Sequence, residues 1–181
     1  MKGISFNIIN MEEVMKRINT FSSNTKLELK KELAASALKI QSEAKKNAPV
    51  NFGTLRQSIY MIDISNGDKF GYKVGTKASY APYVEFGTGG KVNIPSKYSS
   101  YASMFKGKKG GKFADMVKAL MKWVQKKGLA SGKNVKSVAY AIAISILRKG
   151  MRAQPFLLPA FESEKSKLKG RIKNILSNVK S

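Results

Sequence analysis

The sequence contains no cysteine and no histidine, and these two absences exclude most catalytic and metal-binding chemistry. They remove disulfides, thiolate nucleophiles, Cys/His zinc sites, imidazole bases and Ser-His-Asp triads. Acidic residues are scarce as well, at 11, and none of them forms a tight Asp/Glu constellation. Glu12 and Glu13 lie at an expected helix start, where carboxylates serve capping and dipole roles. We therefore expect no enzyme, no metal site and no cofactor.

Long apolar runs are also missing, because no stretch reaches the roughly 18 residues that a membrane-spanning helix needs. The segment from Met1 to Asn10 is too short and too interrupted to be a secretory signal. A chain of 181 residues with 43% hydrophobic content can form one domain with a real core. We expect a single domain over residues 1–181, with a core at 10–90, a variable loop and helix insertion at 91–133, and C-terminal helices at 134–181.

Positive charge is abundant: 34 lysines and arginines against 11 acidic residues give a net charge of +23. Such a surface attracts polyanions, nucleic acid above all, through counterion release. Sequence-specific base readout favours arginine, and only five arginines are present: Arg17, Arg56, Arg148, Arg152 and Arg171. Any contact with DNA is therefore expected to be sequence-independent. The alternative is that lysine keeps an assembling protein soluble until it meets an acidic partner.

Apolar residues recur at helical spacing in the first quarter of the chain. Asn10 with Glu13, and Thr25 with Glu28, have the spacing of capping boxes that begin two helices. The second helix, at about 25–47, is the longest and clearest, and a single stripe on it carries Leu29, Leu33, Ala37, Ile40 and Ala44. Its small alanines allow close approach of a sheet or a neighbouring helix.

Three more helices are predicted in the C-terminal half. The first has its apolar face at Phe113, Met116, Val117, Leu120 and Val124 and ends at Gly128. The second runs from about 135 to 149, between an Asn134 cap and Gly150, with an apolar face of Val138, Ala139, Ile142, Ile146 and Leu147. Pro155 and Pro159 then bracket an expected extended apolar clamp, Phe156-Leu157-Leu158. The last helix turns Leu168, Ile172, Ile175 and Val179 inward.

Strand patterns lie between these helices. Residues 58–64 indicate one strand, Asn66-Gly67 a hairpin turn, and the alternation of Phe70, Tyr72 and Val74 a second strand with one wet, basic face. Residues 3–9 indicate an arm or an edge strand. The sequence thus predicts an α+β fold in which a long N-terminal helix packs on a small antiparallel β-sheet, a hairpin, with additional C-terminal helices.

The stretch from Ala48 to Ile59 changes from helical to strand character. Pro49 disfavours helical dihedrals at the preceding residue, so the long helix should end there. Gly53 can take a positive φ and is the natural pivot of the turn. Leu55 and Arg56 follow, with Arg56 expected at the very start of a strand. From the residues alone, Pro49 and Gly53 define a structural corner.

Two further segments allow either a structural or a functional interpretation. Tyr80 to Gly90 is either a short buried turn or a subunit contact in which Glu85 meets a basic residue of a neighbour. Its glycines and Lys91 lack the G-x-x-x-x-G-K-[ST] spacing of a phosphate loop. The second segment is a glycine-rich loop that is either simply solvated or contacts DNA or an acidic partner through Lys106, Lys108, Lys109 and Lys112.

Three blocks of residues, in order, resemble a known family. The first is Pro49-Val50-x-x-Gly53-x-Leu55-Arg56-x-Ser58-Ile59. The second is Tyr80-Ala81-x-Tyr83-Val84-Glu85-Phe86-Gly87-Thr88, and the third is Ala153-Gln154-Pro155-Phe156-Leu157-x-Pro159-Ala160. Together they resemble the tail-completion, or head–tail joining, proteins of long-tailed bacteriophages and tail-like particles, which include the Z-type tail protein of lambdoid phages. The resemblance covers roughly residues 10–90 and 135–165.

The resemblance implies a structural virion protein that completes the tail and helps join it to the head. It also implies that the structural corner contains Val50, Gly53, Leu55, Arg56 and Ser58. It implies a homo-oligomeric ring, expected to be a hexamer, around a channel for DNA. The expected neighbours are tail terminator, tail tube and head-closure or connector proteins, with no membrane. We expect the subunit or partner interface at Arg56, Tyr80, Tyr83, Glu85, Phe86, Phe156 and Leu157, since exposed apolar blocks need covering.

Two other functions compete with this interpretation. A non-specific basic nucleic-acid-binding protein is favoured by the lysine excess, whereas the three ordered blocks favour the tail protein. A phage-associated enzyme lacks the residues that its chemistry would need. Phe52 stands where an acidic or small residue precedes the glycine in many members of the family, so the detail of that turn is not carried over.

Overall fold

The α+β class predicted from the sequence is confirmed. The protein is described here by a computed structural model covering residues 4–9, 23–50, 53–67, 69–100 and 113–178. Its elements, in chain order, are β1 (Ser5–Ile9), α1 (Ser23–Asn47), α2 (Thr54–Ser58), β2 (Ile59–Asp63), β3 (Gly71–Thr76), α3 (Ala81–Phe86), α4 (Phe113–Lys126), α5 (Asn134–Lys149) and α6 (Leu157–Ser177). Short 3₁₀ turns lie at Gly89–Lys91 and Ser96–Tyr98.

The sheet has three antiparallel strands in the order β1-β3-β2. The hairpin of β2 and β3 turns at Asn66-Gly67, as predicted, and residues 5–9 form the edge strand that the sequence left as one of two alternatives. The predicted wet, basic face of β3 is confirmed in part: Lys73 is half-buried and Lys69, just before the strand, is exposed, whereas the other residues of β3 are buried. A glycine at position 75 lets Ser5 of β1 lie directly against the strand.

One face of the sheet carries the main hydrophobic core. Helix α1 packs across β3 and β2 through the predicted stripe, in which Leu29, Leu33, Ala37, Ile40 and Ala44 are all buried. Helix α6 packs along α1, and its Phe161 stacks on Phe6 of β1 with ring centroids 4.9 Å apart. The sequence predicted that α1 would allow close approach of a sheet or a neighbouring helix, and α1 packs against both.

A polar cluster also joins α1 to α6. Arg171 of α6 donates to Glu32 of α1 at 2.5 Å and to Ser36 at 2.8 Å, and it also pairs with Glu164 of its own helix. Charge-assisted hydrogen bonds from a planar guanidinium hold partners in a defined orientation. The cluster therefore sets how α6 lies on α1.

Helices α4 and α5 form a separate pair, here called the helical hairpin (residues 113–149). They pack on each other around a second hydrophobic cluster that contains Val117, Val124, Val135, Ala139 and Ala143. Gly128 and Gly132, both with positive φ, shape the connection between them. The predicted boundary at 133/134 falls inside this pair, although the division into core, insertion and C-terminal helices stays a prediction.

Several details differ from the sequence prediction. Thr25 lies inside α1, which begins at Ser23, and Asn134 is the first residue of α5 rather than its cap. Leu147 is exposed because the buried stripe of α5 runs through Val135, Ala139 and Ala143 instead. The expected extended clamp is wrong, since Leu157 and Leu158 begin α6. The helix predicted after Asn10, and Val179, lie outside the described residues.

The corner between α1 and the sheet contains a short helix that the sequence did not predict. Gly53 has the expected positive φ of 74°. The chain then makes the short helix α2 before it enters β2, so Arg56 lies within a helical turn and not at a strand start. Ser58 closes this turn by donating to the carbonyl of Leu55 at 2.7 Å, and Leu55 is buried.

Replacement of Gly53 by alanine should destabilise the fold by about 1–2 kcal/mol, because an L-residue is strained at positive φ. A Cβ at this position would contact only the end of Gln57, at 3.7 Å, so the cost is conformational and not steric. The matched control is Gly170→Ala, in the middle of α6 with no atom near the new methyl group, which should stabilise by up to about 1 kcal/mol. Urea unfolding of both variants measures the difference, and equal effects would contradict the prediction.

Candidate functional site: the junction of α3 and α6

Two of the sequence blocks meet in space at a site here called the junction, formed by residues 84–88 and 150–158. Its backbone is closely hydrogen-bonded: Thr88 N–H donates to the carbonyl of Met151 at 2.9 Å, and Gln154 N–H donates to the carbonyl of Val84 at 2.8 Å. The hydroxyl of Thr88 accepts from Met151 N–H at 2.7 Å. Segments about 70 residues apart in the sequence are therefore held as one unit.

Glu85 is the central side chain of the junction and is 1% exposed. Its carboxylate accepts three backbone N–H groups at the start of α6, from Phe156 at 3.0 Å, Leu157 at 3.0 Å and Leu158 at 2.8 Å. The first N–H groups of a helix lack intrahelical partners and carry partial positive charge, so a carboxylate satisfies both needs. Glu85 therefore caps α6 from another element of the fold.

Two opposing effects act on the protonation of Glu85. Burial raises the pKa of the carboxyl above its ordinary value of 4.5, since the charged form loses water. The three N–H donors act in the opposite direction, and burial is the larger effect. The pKa of Glu85 is therefore raised overall, so its ionisation should affect how the stability of the fold depends on pH.

Close backbone contact at Gly150 completes the junction. Gly150 follows α5 with a φ of 74°, and a Cβ placed there would overlap the carbonyl oxygen of Thr88. Only glycine fits both the dihedral and the space. The end of the helical hairpin is thus held directly against the segment that carries Glu85.

Beside the junction lies a cavity of about 330 Å³ with mainly apolar walls, formed in part by Phe86, Tyr98, Pro155 and Pro159. Glu162 also lines it and pairs with Lys97 at 2.5 Å through one carboxylate oxygen. The other oxygen, Oε1, is buried and has no hydrogen-bond partner among the described residues. The cavity separates the junction from the 3₁₀ turn at Ser96–Tyr98.

The predicted interface residues divide into two groups. Glu85, Phe86, Phe156 and Leu157 are buried within the chain, so the expectation that they form exposed apolar blocks is wrong. The expected basic neighbour of Glu85 is replaced by the backbone of α6. Tyr80 is 41% exposed and Tyr83 is half-buried, so both remain accessible to a partner.

Arg56 lies at the corner, in the short helix α2. It is half-buried, and its Nε is enclosed without a hydrogen-bond partner in the described part of the chain. A buried donor without a partner is costly. The Nε of Arg56 thus has no hydrogen-bond partner within the described residues, and the place of Arg56 at a subunit or partner interface stays a prediction.

The structure adds little on the other predicted sites. Lys106, Lys108, Lys109 and Lys112 lie outside the described residues. Within residues 4–9, 23–50, 53–67, 69–100 and 113–178, no group of acidic side chains could hold a metal ion. Across the same ranges, no helix is both long and apolar enough to cross a membrane.

Sequence comparison points to one family. Residues 12–87 match the family model described as "Bacteriophage HK97-gp10, putative tail-component". The match covers less than half of the chain, including the corner and the part of the junction up to Gly87, and it supports a phage tail-type protein. No curated protein and no solved structure is significantly similar to the chain.

Replacement of Glu85 by glutamine should change how stability depends on pH. In the unfolded chain Glu85 ionises near its ordinary pKa of 4.5, whereas the folded chain holds the proton to higher pH. The contribution of Glu85 to stability is therefore fully present below pH 4.5 and is lost as pH rises through the raised pKa. We expect urea unfolding to show this loss in the unaltered chain and not in the Glu85→Gln variant.

The control for this experiment is Glu43→Gln, which removes an exposed carboxylate paired with Lys46. It should keep the pH profile of the unaltered chain, because exposed pairs contribute little. If the unaltered chain instead gains stability relative to Glu85→Gln as pH rises from 4.5, the hydrogen bonds outweigh burial and the prediction is wrong.

Gly150→Ala should destabilise the fold more than Gly128→Ala. Both glycines have positive φ, at 74° and 64°, but only Gly150 has a backbone oxygen in the space that a methyl group would take. The strain of the dihedral is common to both variants, so the difference isolates the steric clash, worth about 1–3 kcal/mol. Thermal unfolding of the two variants measures it, and equal losses would show that the junction accommodates a side chain.

Proposed function

We propose that the chain is a structural virion protein of the neck or tail top. In this proposal it forms a closed homo-oligomeric ring that completes the tail and helps join it to the head around the DNA channel. A hexamer would match the tail tube, and the adjoining partners would be tail terminator, tube and head-closure or connector proteins. The location would be the head–tail junction of the virion.

The observation that carries the proposal is the match of residues 12–87 to a phage tail-component family. The finer assignment draws on the third block, residues 153–160, which lies outside that match yet bonds directly to the second block at the junction. A rigid, closely bonded unit suits a protein that must hold neighbours in a fixed geometry.

The ring interface is best sought at one end of the sheet. Ile59 opens β2 opposite Thr76 at the end of β3, so α2 and the segment leading to α3 leave the sheet together. This places Arg56, whose Nε has no hydrogen-bond partner in the described part of the chain, at the same end as the exposed ring of Tyr80. Aromatic and arginine side chains are the types that dominate binding energy at interfaces.

Tyr80→Ala should therefore reduce ring formation while leaving the fold intact. The matched control is Tyr140→Ala. Tyr140 is 51% exposed and belongs to the helical hairpin, which is not part of the sheet. Native mass spectrometry and rotationally averaged micrographs count the subunits of each variant. A chain that stays monomeric in assembled particles, or rings that tolerate Tyr80→Ala as well as Tyr140→Ala, would contradict the proposal.

The second candidate, a non-specific nucleic-acid-binding protein, is favoured by the net charge of +23. The two functions differ in location, since a tail protein stays in purified virions whereas a free DNA-binding protein does not. Detection of the chain in purified particles by mass spectrometry separates them. The predicted contact with DNA or an acidic partner through Lys106, Lys108, Lys109 and Lys112 belongs to the tail proposal as a further prediction.

A further inference from the structure

The positive charge is distributed unevenly along the chain. Residues 91–152 contain 15 of the 34 lysines and arginines but only one acidic residue, Asp115. More than half of the net charge therefore lies in about a third of the sequence. Elsewhere, acidic residues compensate: Asp63, Glu43 and Glu32 pair with Lys30, Lys46 and Arg171.

The helical hairpin carries much of this unbalanced charge. Residues 113–149 include eight basic residues, all of them exposed, against one acidic residue. The eight are Lys118, Lys122, Lys126, Lys127, Lys133, Lys136, Arg148 and Lys149. Within the described residues, no carboxylate pairs with Lys118, Lys122 or Lys136. Like charges at this density repel one another, so a polyanion that neutralised them would be bound favourably.

The outer face of α4 is suited to a charged backbone and not to a protein surface. Its exposed residues are Ala114, Asp115, Lys118, Ala119, Lys122, Gln125 and Lys126, with no large apolar side chain among them. The cores of protein–protein interfaces are instead rich in aromatic residues and poor in lysine. Lys118, Lys122 and Lys126 are four residues apart, so they form a stripe with steps of about 6 Å.

The attachment of the hairpin leaves this stripe accessible. The C-terminal end of α5 is held at the junction, where Gly150 contacts Thr88 and Gly89. Helix α5 has 16 residues and is thus about 24 Å long, so its other end and the connection at 127–133 are well removed from the junction. A basic arm fixed at one end can lie along a large polyanion.

We propose that the helical hairpin is the DNA-binding element of this chain, and that the stripe Lys118, Lys122 and Lys126 contacts the phosphate backbone of duplex DNA without regard to sequence. The inference rests on the proposed function only in placing DNA beside the chain. Lysine is a mobile point charge that does not lock onto base edges, so the contact would allow DNA to slide past. The binding free energy would come from counterion release.

The test compares two triple variants of the full chain that remove equal charge from equally spaced lysines. The first is Lys118→Gln, Lys122→Gln and Lys126→Gln on α4. The matched control is Lys165→Gln, Lys169→Gln and Lys173→Gln. These three exposed lysines form a stripe on α6, outside the helical hairpin. Glutamine has nearly the helix propensity of lysine, and circular dichroism melting should show both variants folded.

Affinity for a random-sequence DNA duplex is then measured over a range of salt concentrations. Each lost phosphate contact lowers the slope of log K against log salt by about 0.9, so the α4 variant should lose about 2–3 in slope. The α6 control should lose less than about 1. Equal losses would mean that only net charge matters, and no loss in the α4 variant, or no binding of duplex by the unaltered chain, would equally overturn the inference.

Polyglutamate serves as a second probe, for an acidic protein surface. If the unaltered chain binds polyglutamate as tightly as duplex DNA, and the α4 variant loses both, the stripe recognises acidic protein and the DNA assignment is wrong. Subunit counts of both variants by native mass spectrometry keep this inference separate from the ring. If both variants form normal rings and their salt slopes are equal, only the DNA-binding role of the hairpin is wrong. If both are monomers and their salt slopes differ, only the proposed ring is wrong.

Discussion

The capping of α6 by Glu85 is the interaction on which the arrangement of the C-terminal half depends. Helix α6 begins inside the protein, where water cannot reach its first N–H groups, and no side chain of its own caps it. The carboxylate of Glu85 supplies the acceptors from α3. Because a buried unpaired N–H is costly, α6 is held in the position where Glu85 meets its first turn. From there it extends along α1 to the cluster of Arg171, Glu32 and Ser36.

The same segment also positions the helical hairpin. Thr88, three residues after Glu85, exchanges hydrogen bonds with Met151, and Gly150 lies against its carbonyl oxygen. The junction therefore joins three parts of the molecule: the sheet with α1, the helix α6, and the basic pair α4–α5. The first is where the family match lies, up to Gly87, and the last is where the unbalanced charge is concentrated.

The charge pattern separates a supporting part from an accessible part. Outside the helical hairpin, carboxylates such as Glu32 and Glu164 form ion pairs with Arg171 between the packed helices α1 and α6. On the hairpin, lysines project from a small core of its own with almost no acidic residue nearby. An ion pair between packed helices stabilises one geometry, whereas surface charge with few acidic residues nearby stabilises little by itself and favours a partner of opposite sign. This contrast is the reason for proposing that the hairpin, and not the rest of the chain, contacts a polyanion.

The sequence by itself determined the elements whose signals are local. The stripe of α1, the Asn66-Gly67 turn, the positive φ of Gly53 and the end of α5 at Gly150 follow from side-chain periodicity and from the freedom of glycine. Only the tertiary structure decided the role of Glu85, because its partners are backbone groups about 70 residues away and carry no sequence signal. It likewise decided that Phe156 and Leu157 are core residues and that β3 is the central strand. Those outcomes depend on which surfaces meet, and apolar residues look alike in sequence whether a partner subunit or the chain itself covers them.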